Sequence, residues 1–163
     1  MNIQKCARLS MLTALAIVLN ILESFIPFFS IPGIKLGLAN IITVSVLYYY
    51  GTKEAFYISI LRVVIVGLLR TGLFSISFLF SITGAFTSLI MMILCKKIAI
   101  FSIVGISIIG SIFHSIGQIL IAILLLKNSA VVYYLPIMII ISIITGMIIG
   151  LVSKEFVKYL ETN

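Results

Sequence analysis

NILESFIPFFSIPGIKLGLAN, residues 20–40, decides how the rest of the chain is read. In it an apolar helix acquires a carboxylate at Glu23, breaks at Pro27 and Pro32, and restarts after a glycine-rich turn. Proline fixes φ and removes a backbone donor, while Gly33 and Gly37 let the chain turn back sharply. Lys35 and Asn40 then stand at the start of the next apolar run. A loop of Pro, Gly and Phe with one cation, capping two apolar helices, suits the mouth of a small-molecule site. It equally suits a plain helical hairpin turn, and the stretch by itself fits both.

Outward from this loop the chain is almost free of charge. Of 163 residues, 63% are hydrophobic and only 9% charged, against roughly 25% charged in an ordinary soluble domain. The segments between Arg70 and Lys96, between Lys97 and Lys127, and between Lys127 and Lys154 carry no charge. Each is longer than the ~20 apolar residues that cross a ~30 Å hydrocarbon core. Such continuous runs specify helices and not the alternating strands of a barrel. The sequence therefore predicts an all-α membrane protein, a compact bundle of six transmembrane helices in one domain over residues 1–163. The helices are expected near 8–28, 36–50, 54–69, 74–95, 101–126 and 131–158. The second and third are short, so at least one should tilt, pack inside the bundle or line a cavity.

Flanking charges orient the bundle. With the N-terminus cytoplasmic, Lys5, Arg8, Lys53, Lys96, Lys97, Lys154 and Lys158 lie inside and only Lys35, Arg70 and Lys127 outside. The positive-inside rule then places both termini in the cytoplasm and the chain in the cell membrane as a multi-pass protein. The net charge of +7 follows from this bias toward the anionic leaflet, so nucleic acid is not an expected partner. The first apolar segment follows Lys5 and Arg8 as a signal peptide would. It runs on into the proline-broken loop without a small-residue cleavage site, and is read as a retained helix. Cys6 and Cys95 form no CxxC or Cys/His cluster, so neither a metal nor a cofactor is expected.

The polar residues inside apolar segments are the candidates for chemistry. Glu23 lies fifteen residues beyond Arg8, roughly 22 Å from the inner edge, at a depth where an ionisable group faces a cavity or a partner. Arg62, nearer the midplane, either pairs with Glu23 or finds carbonyl or ligand oxygens. Arg70 is a snorkelling anchor or a fork-shaped donor for an anionic group. His114 and Gln118, four apart, share a face of the fifth helix, as packing residues or as ligand contacts. Glu23, Lys35, Asn40, Arg70, His114 and Gln118 converge on the outer half of the membrane. A site open to the outside follows, with Phe28, Phe29, Phe74, Phe78 and Tyr133 as aromatic walls. Its cations outnumber its one carboxylate, which suits a ring-bearing or partly apolar acidic solute. Small residues recur every fourth position in Ser10 and Ala14, in Ser107, Ser111 and Ser115, and in Ser142, Gly146 and Gly150, which permits close helix approach.

The segments ILESFIP, IPGIKLGLAN, ISILRVVIVGLL, GSIFHSIGQ and YYLP resemble the Gx transporter family, also catalogued as heptaprenyl diphosphate synthase component I. The likeness covers nearly the whole length, and IPGIKLGLAN is its most specific part. That family is similar to the substrate-binding S components of energy-coupling factor transporters, six-helix proteins that take a vitamin or similar solute from outside. The resemblance implies a transmembrane coupling subunit and paired ATPases as partners. It puts Ser10 and Ala14 on the face that meets the coupling subunit, with Ser where the family's first small residue is usually Ala.

The two family names imply different chemistry. Prenyl diphosphate synthesis needs Mg²⁺ held by carboxylates, yet the chain has no Asp, and Glu23, Glu54, Glu155 and Glu161 are scattered. It also lacks a glycine-rich phosphate loop followed by Lys and Ser or Thr, so ATP hydrolysis belongs to partners and the chain is not expected to be an enzyme. Three readings stay open: a solute-binding importer subunit, a non-catalytic accessory subunit of a prenyl-lipid enzyme, and a membrane scaffold for a flavin-linked electron-transfer assembly.

Overall fold

A computed structural model describes residues 3–23, 25 and 37–162. Among the described residues there are six α-helices and no strand. They are α1 (Ile3–Glu23), α2 (Leu38–Tyr49), α3 (Thr52–Val66), α4 (Ile76–Ile98), α5 (Ile103–Leu126) and α6 (Leu135–Thr162). A π-helical turn, Gly67–Thr71, prolongs α3, and a 3₁₀ turn, Ser129–Tyr134, leads into α6. Four helices, α1, α4, α5 and α6, are long and apolar enough to cross a membrane, which fits a multi-pass membrane protein. The other two expected spans fall on α2 and α3, of 12 and 15 residues, each by itself shorter at ~1.5 Å per residue than a hydrocarbon core, with α3 prolonged by the π turn.

Local chemistry sets the helix ends. Ser75 and Ser102 cap α4 and α5, each hydroxyl accepting from the backbone N–H three residues on, at 3.1 and 3.2 Å. α1 begins at Ile3 and α6 continues to Thr162, both beyond the expected limits of 8 and 158. Helix ends in water need no apolar residues, so hydropathy does not mark them. α1 is described as far as Glu23, and the expected end at 28 lies outside the described residues.

α1 and α3 run parallel, in register. Lys5 Nζ donates to Glu54 at 2.5 Å near one end, and Arg70 donates to the Ile21 carbonyl at 3.4 Å near the other, both across a separation of 49 residues. α2 descends between them and α6. Its Ile41 carbonyl accepts from Ser153 at 3.3 Å, and its Leu47 carbonyl accepts from Lys96 at 2.5 Å. The second half of the chain packs α4 on α5 and α5 on α6. There Ser115 and Ser142 share a hydrogen bond of 2.6 Å, and Thr87 donates to the Phe113 carbonyl at 2.9 Å. A Cβ on Gly146 would stand 2.8 Å from the Ile108 Cα, so only glycine lets α6 approach α5 this closely. The main core joins the halves through Leu12, Ala16, Ile42, Leu47, Ile58, Met92 and Ile106. Leu, Ile and Phe side chains cover much of the outer surface, as a lipid-facing bundle requires.

Candidate functional site

Three helices build a polar node inside the bundle. Glu23, the last residue of α1, is buried. Its Oε1 accepts from the Gly37 N–H, and its Oε2 accepts from the Leu38 N–H at 3.2 Å. The first N–H groups of a helix have no partner within it, and α2 takes a carboxylate from another helix in place of its own capping side chain. A negative charge there also complements the helix dipole. Gly37 makes the geometry available: its φ of +78° is left-handed, and a Cβ would crowd Asn40 and Ile149 at 3.2 Å. Ile149 lies near the middle of α6, so this helix start is deep in the bundle and not at its rim.

One turn into α2, Asn40 Oδ1 accepts from both terminal nitrogens of Arg62, at 3.3 and 3.2 Å. Arg62 is only 4% exposed and Asn40 8%, so the guanidinium is held out of water. The Glu23 carboxylate exerts an attractive field on it. The Arg62 Nε–H is buried with no hydrogen-bond partner among the described residues. Buried polar groups are nearly always satisfied, so this donor calls for an acceptor beyond the described residues. Asn40 thus stands where a direct Glu23–Arg62 pair was one expectation: Glu23 anchors the helix that carries Arg62's acceptor.

Arg70 lies at the exposed rim of the same three-helix group. Besides its bond to Ile21, its guanidinium sits 4.2 Å from the Phe25 ring centroid, a cation–π contact. Arg70 lies within the widened π turn, at whose start Phe78 of α4 lies over Gly67. Such turns recur at functional positions.

His114 and Gln118 belong to a different interface, where both lie over Gly84 of α4. A Cβ on Gly84 would be 2.9 Å from the imidazole and 3.1 Å from Gln118 Cγ. Gln118 is buried and His114 half-buried. Lys35, Phe28 and Phe29 lie outside the described residues. Of the other expected aromatic walls, Phe78 is buried, whereas Phe74 and Tyr133 are 83% and 86% exposed. Ser10 and Ala14 are both exposed, on the side of α1 opposite buried Leu12 and Ala16.

The sequence did not single out the Gly37 and Leu38 amides, Gly84 or the Ile21 carbonyl. Backbone donors and acceptors leave no side-chain signal. An apolar groove of about 230 Å³ runs between α3 and α4, lined by Phe56, Val63, Ile82 and Phe86 among others, apart from the polar node. Among the described residues no three His, Cys, Asp or Glu side chains gather as metal ligands. The node thus combines a buried fork-shaped cation, a capped helix start and an apolar surround.

The sequence model of the family described as heptaprenyl diphosphate synthase component I matches residues 12–156. The chain belongs to that family. No curated protein and no solved structure matches it.

Proposed function

We propose that this member of the heptaprenyl diphosphate synthase component I family is the solute-binding membrane subunit of an importer of the energy-coupling factor type. It captures a small acidic solute with a ring or an apolar body from outside the cell membrane, with both termini cytoplasmic. The observation that carries this reading is the Arg62 guanidinium, buried on Asn40 with its Nε–H unaccepted among the described residues. A carboxylate or phosphate oxygen satisfies such a donor best, because the charge-assisted bond forms where water is excluded. Glu23, Asn40 and Arg62 form the floor of the site. Lys35, Arg70, His114 and Gln118 complete the solute's contacts. Ser10 and Ala14, exposed on α1, meet the coupling subunit, and paired ATPases supply the energy.

The test is native purification followed by mass spectrometry of the bound small molecule and of copurifying proteins. An acidic solute present in the wild type and lost from Arg62→Met, together with a coupling subunit and an ATPase pair, is the expected result. A cationic solute, or one retained by Arg62→Met, would sink the reading.

The family's description favours a second reading, a non-catalytic membrane subunit of a prenyl diphosphate synthase. The chain holds no Asp, so the metal-binding carboxylates would come from a soluble partner. The α3–α4 groove would take the apolar chain. Copurification of an aspartate-rich soluble protein in place of ATPases selects it.

A further inference from the structure

A second groove, of about 280 Å³, opens where Arg8, Met11 and Leu12 of α1 face Tyr50, just past α2, and Leu160 near the end of α6. We infer that it holds the headgroup and upper chain of an anionic phospholipid, which bridges the terminal ends of α1 and α6. This site is separate from the Arg62 node and stands whether or not the chain binds a solute.

Charge and shape both point to this occupant. α1 packs on α2 and α3, while α6 packs on α5 and α2, so α1 and α6 share α2 as a neighbour with the groove between them. Arg8 lines the groove and is exposed, so its guanidinium is available to a phosphodiester, for which its planar fork is suited. Lys5 Nζ stands 6.0 Å from the Tyr50 ring centroid, and Lys154 and Lys158 are exposed on the last turns of α6. Lys5 is paired with Glu54, and Glu155 and Glu161 share the last turns of α6 with the two lysines, so the positive excess at this end is small and rests on Arg8 in the groove itself. The Tyr50 hydroxyl is buried without a hydrogen-bond partner among the described residues, a cost that a headgroup oxygen would remove. Met11, Leu12 and Leu160 supply apolar surface beside the cation. Free phosphate would leave that surface unmatched, whereas a phospholipid presents an anion joined to an apolar chain. Basic pockets between helices at the cytoplasmic side hold phosphate headgroups in this way.

The experiment reconstitutes the full chain into vesicles of equal phosphatidylglycerol and phosphatidylcholine, extracts it gently, and measures the retained lipids by native mass spectrometry. The wild type should retain phosphatidylglycerol in preference to phosphatidylcholine. Arg8→Gln should lower that preference about five-fold, and Tyr50→Phe should lower it by less. Leu160→Glu places a like charge beside the headgroup without touching Arg8, and should also lower the preference. Lys127→Gln, at the other end of the bundle, should leave it unchanged. The inference is overturned if Arg8→Gln and Leu160→Glu keep the wild-type ratio, or if Lys127→Gln lowers it equally. It is also overturned if millimolar inorganic phosphate in phosphatidylcholine vesicles stabilises the chain as well as phosphatidylglycerol does, since the groove would then be a free-phosphate site.

Discussion

Between α1, α2 and α3 the defining contacts are charged or directional: Lys5 on Glu54, Glu23 on the start of α2, Arg62 on Asn40, Arg70 on Ile21. Between α5 and α6 they come from small residues, with Gly146 against Ile108 and Ser111, Gly150 against Val104, and Ser115 bonded to Ser142. Within the first group Glu23 and Arg62 are held out of water, which is costly and leaves geometry dependent on each partner. The second gains close packing and has little to rearrange. A helix pair of the second kind is a frame. Under the proposed function a group of the first kind is the one to respond to a ligand, because a new acceptor at Arg62 would change the electrostatic balance that Glu23 and Asn40 maintain.

The largest effect should come from removing Glu23. Glu23→Ala leaves two α2 N–H groups without their carboxylate and Arg62 without its neighbouring negative charge. Breaking a buried charge set by deleting one member costs about 3–5 kcal/mol. Thermal unfolding in detergent should show that loss. A loss no larger than that of a small-residue variant in α5 or α6 would erase the distinction between the two groups.

Arg62→Lys separates charge from shape. The cation stays, but the fork that reaches Asn40 with two nitrogens does not. Calorimetric titration with the identified solute should show an affinity loss of about 1.5–3 kcal/mol, the range for a hydrogen bond to a charged group. Equal affinity in the two proteins would mean that the solute reads charge alone.

Gly146→Val probes the frame. Its Cβ would meet the Ile108 Cα and Ser111, and overpacking of this kind costs about 1–3 kcal/mol. Thermal stability should fall while solute affinity in the surviving folded protein stays at the wild-type value. A parallel loss of affinity would show that the α5–α6 spacing shapes the site.

What the sequence disclosed follows the same division. The uncharged runs after Arg70, Lys97 and Lys127 marked α4, α5 and α6, because hydropathy reports whatever lipid must cover. The shortness of α2 and α3 was visible for the same reason. The stripe of Ser107, Ser111 and Ser115 against Ser142, Gly146 and Gly150 was also legible, since it repeats every fourth residue. Glu23, Asn40 and Arg62 stood out singly as polar residues in apolar helices. Their arrangement did not, because Glu23 finds its partners on backbone amides fourteen and fifteen residues later, and no local pattern encodes which helix start a carboxylate will reach. The separation of 49 residues shared by Lys5–Glu54 and Ile21–Arg70 becomes readable only once α1 and α3 are known to be parallel.

The smallest effect sharpens the contrast most. Ser115 and Ser142 lie in one short hydrogen bond between buried hydroxyls, the most directional contact of the α5–α6 frame. Interhelical bonds of this kind in membranes average about 0.6 kcal/mol, because each hydroxyl has other acceptors nearby. Either serine can turn to a carbonyl of its own helix when its partner is lost. A double-mutant cycle of Ser115→Ala and Ser142→Ala should therefore give a coupling of about 0.6 kcal/mol. The same cycle on Arg62→Met and Asn40→Leu should give a larger value, since a buried guanidinium has no comparable substitute for its acceptor. If the serine pair couples as strongly as the Arg62–Asn40 pair, hydrogen bonding and not close approach holds the frame, and the two groups of helices are built alike.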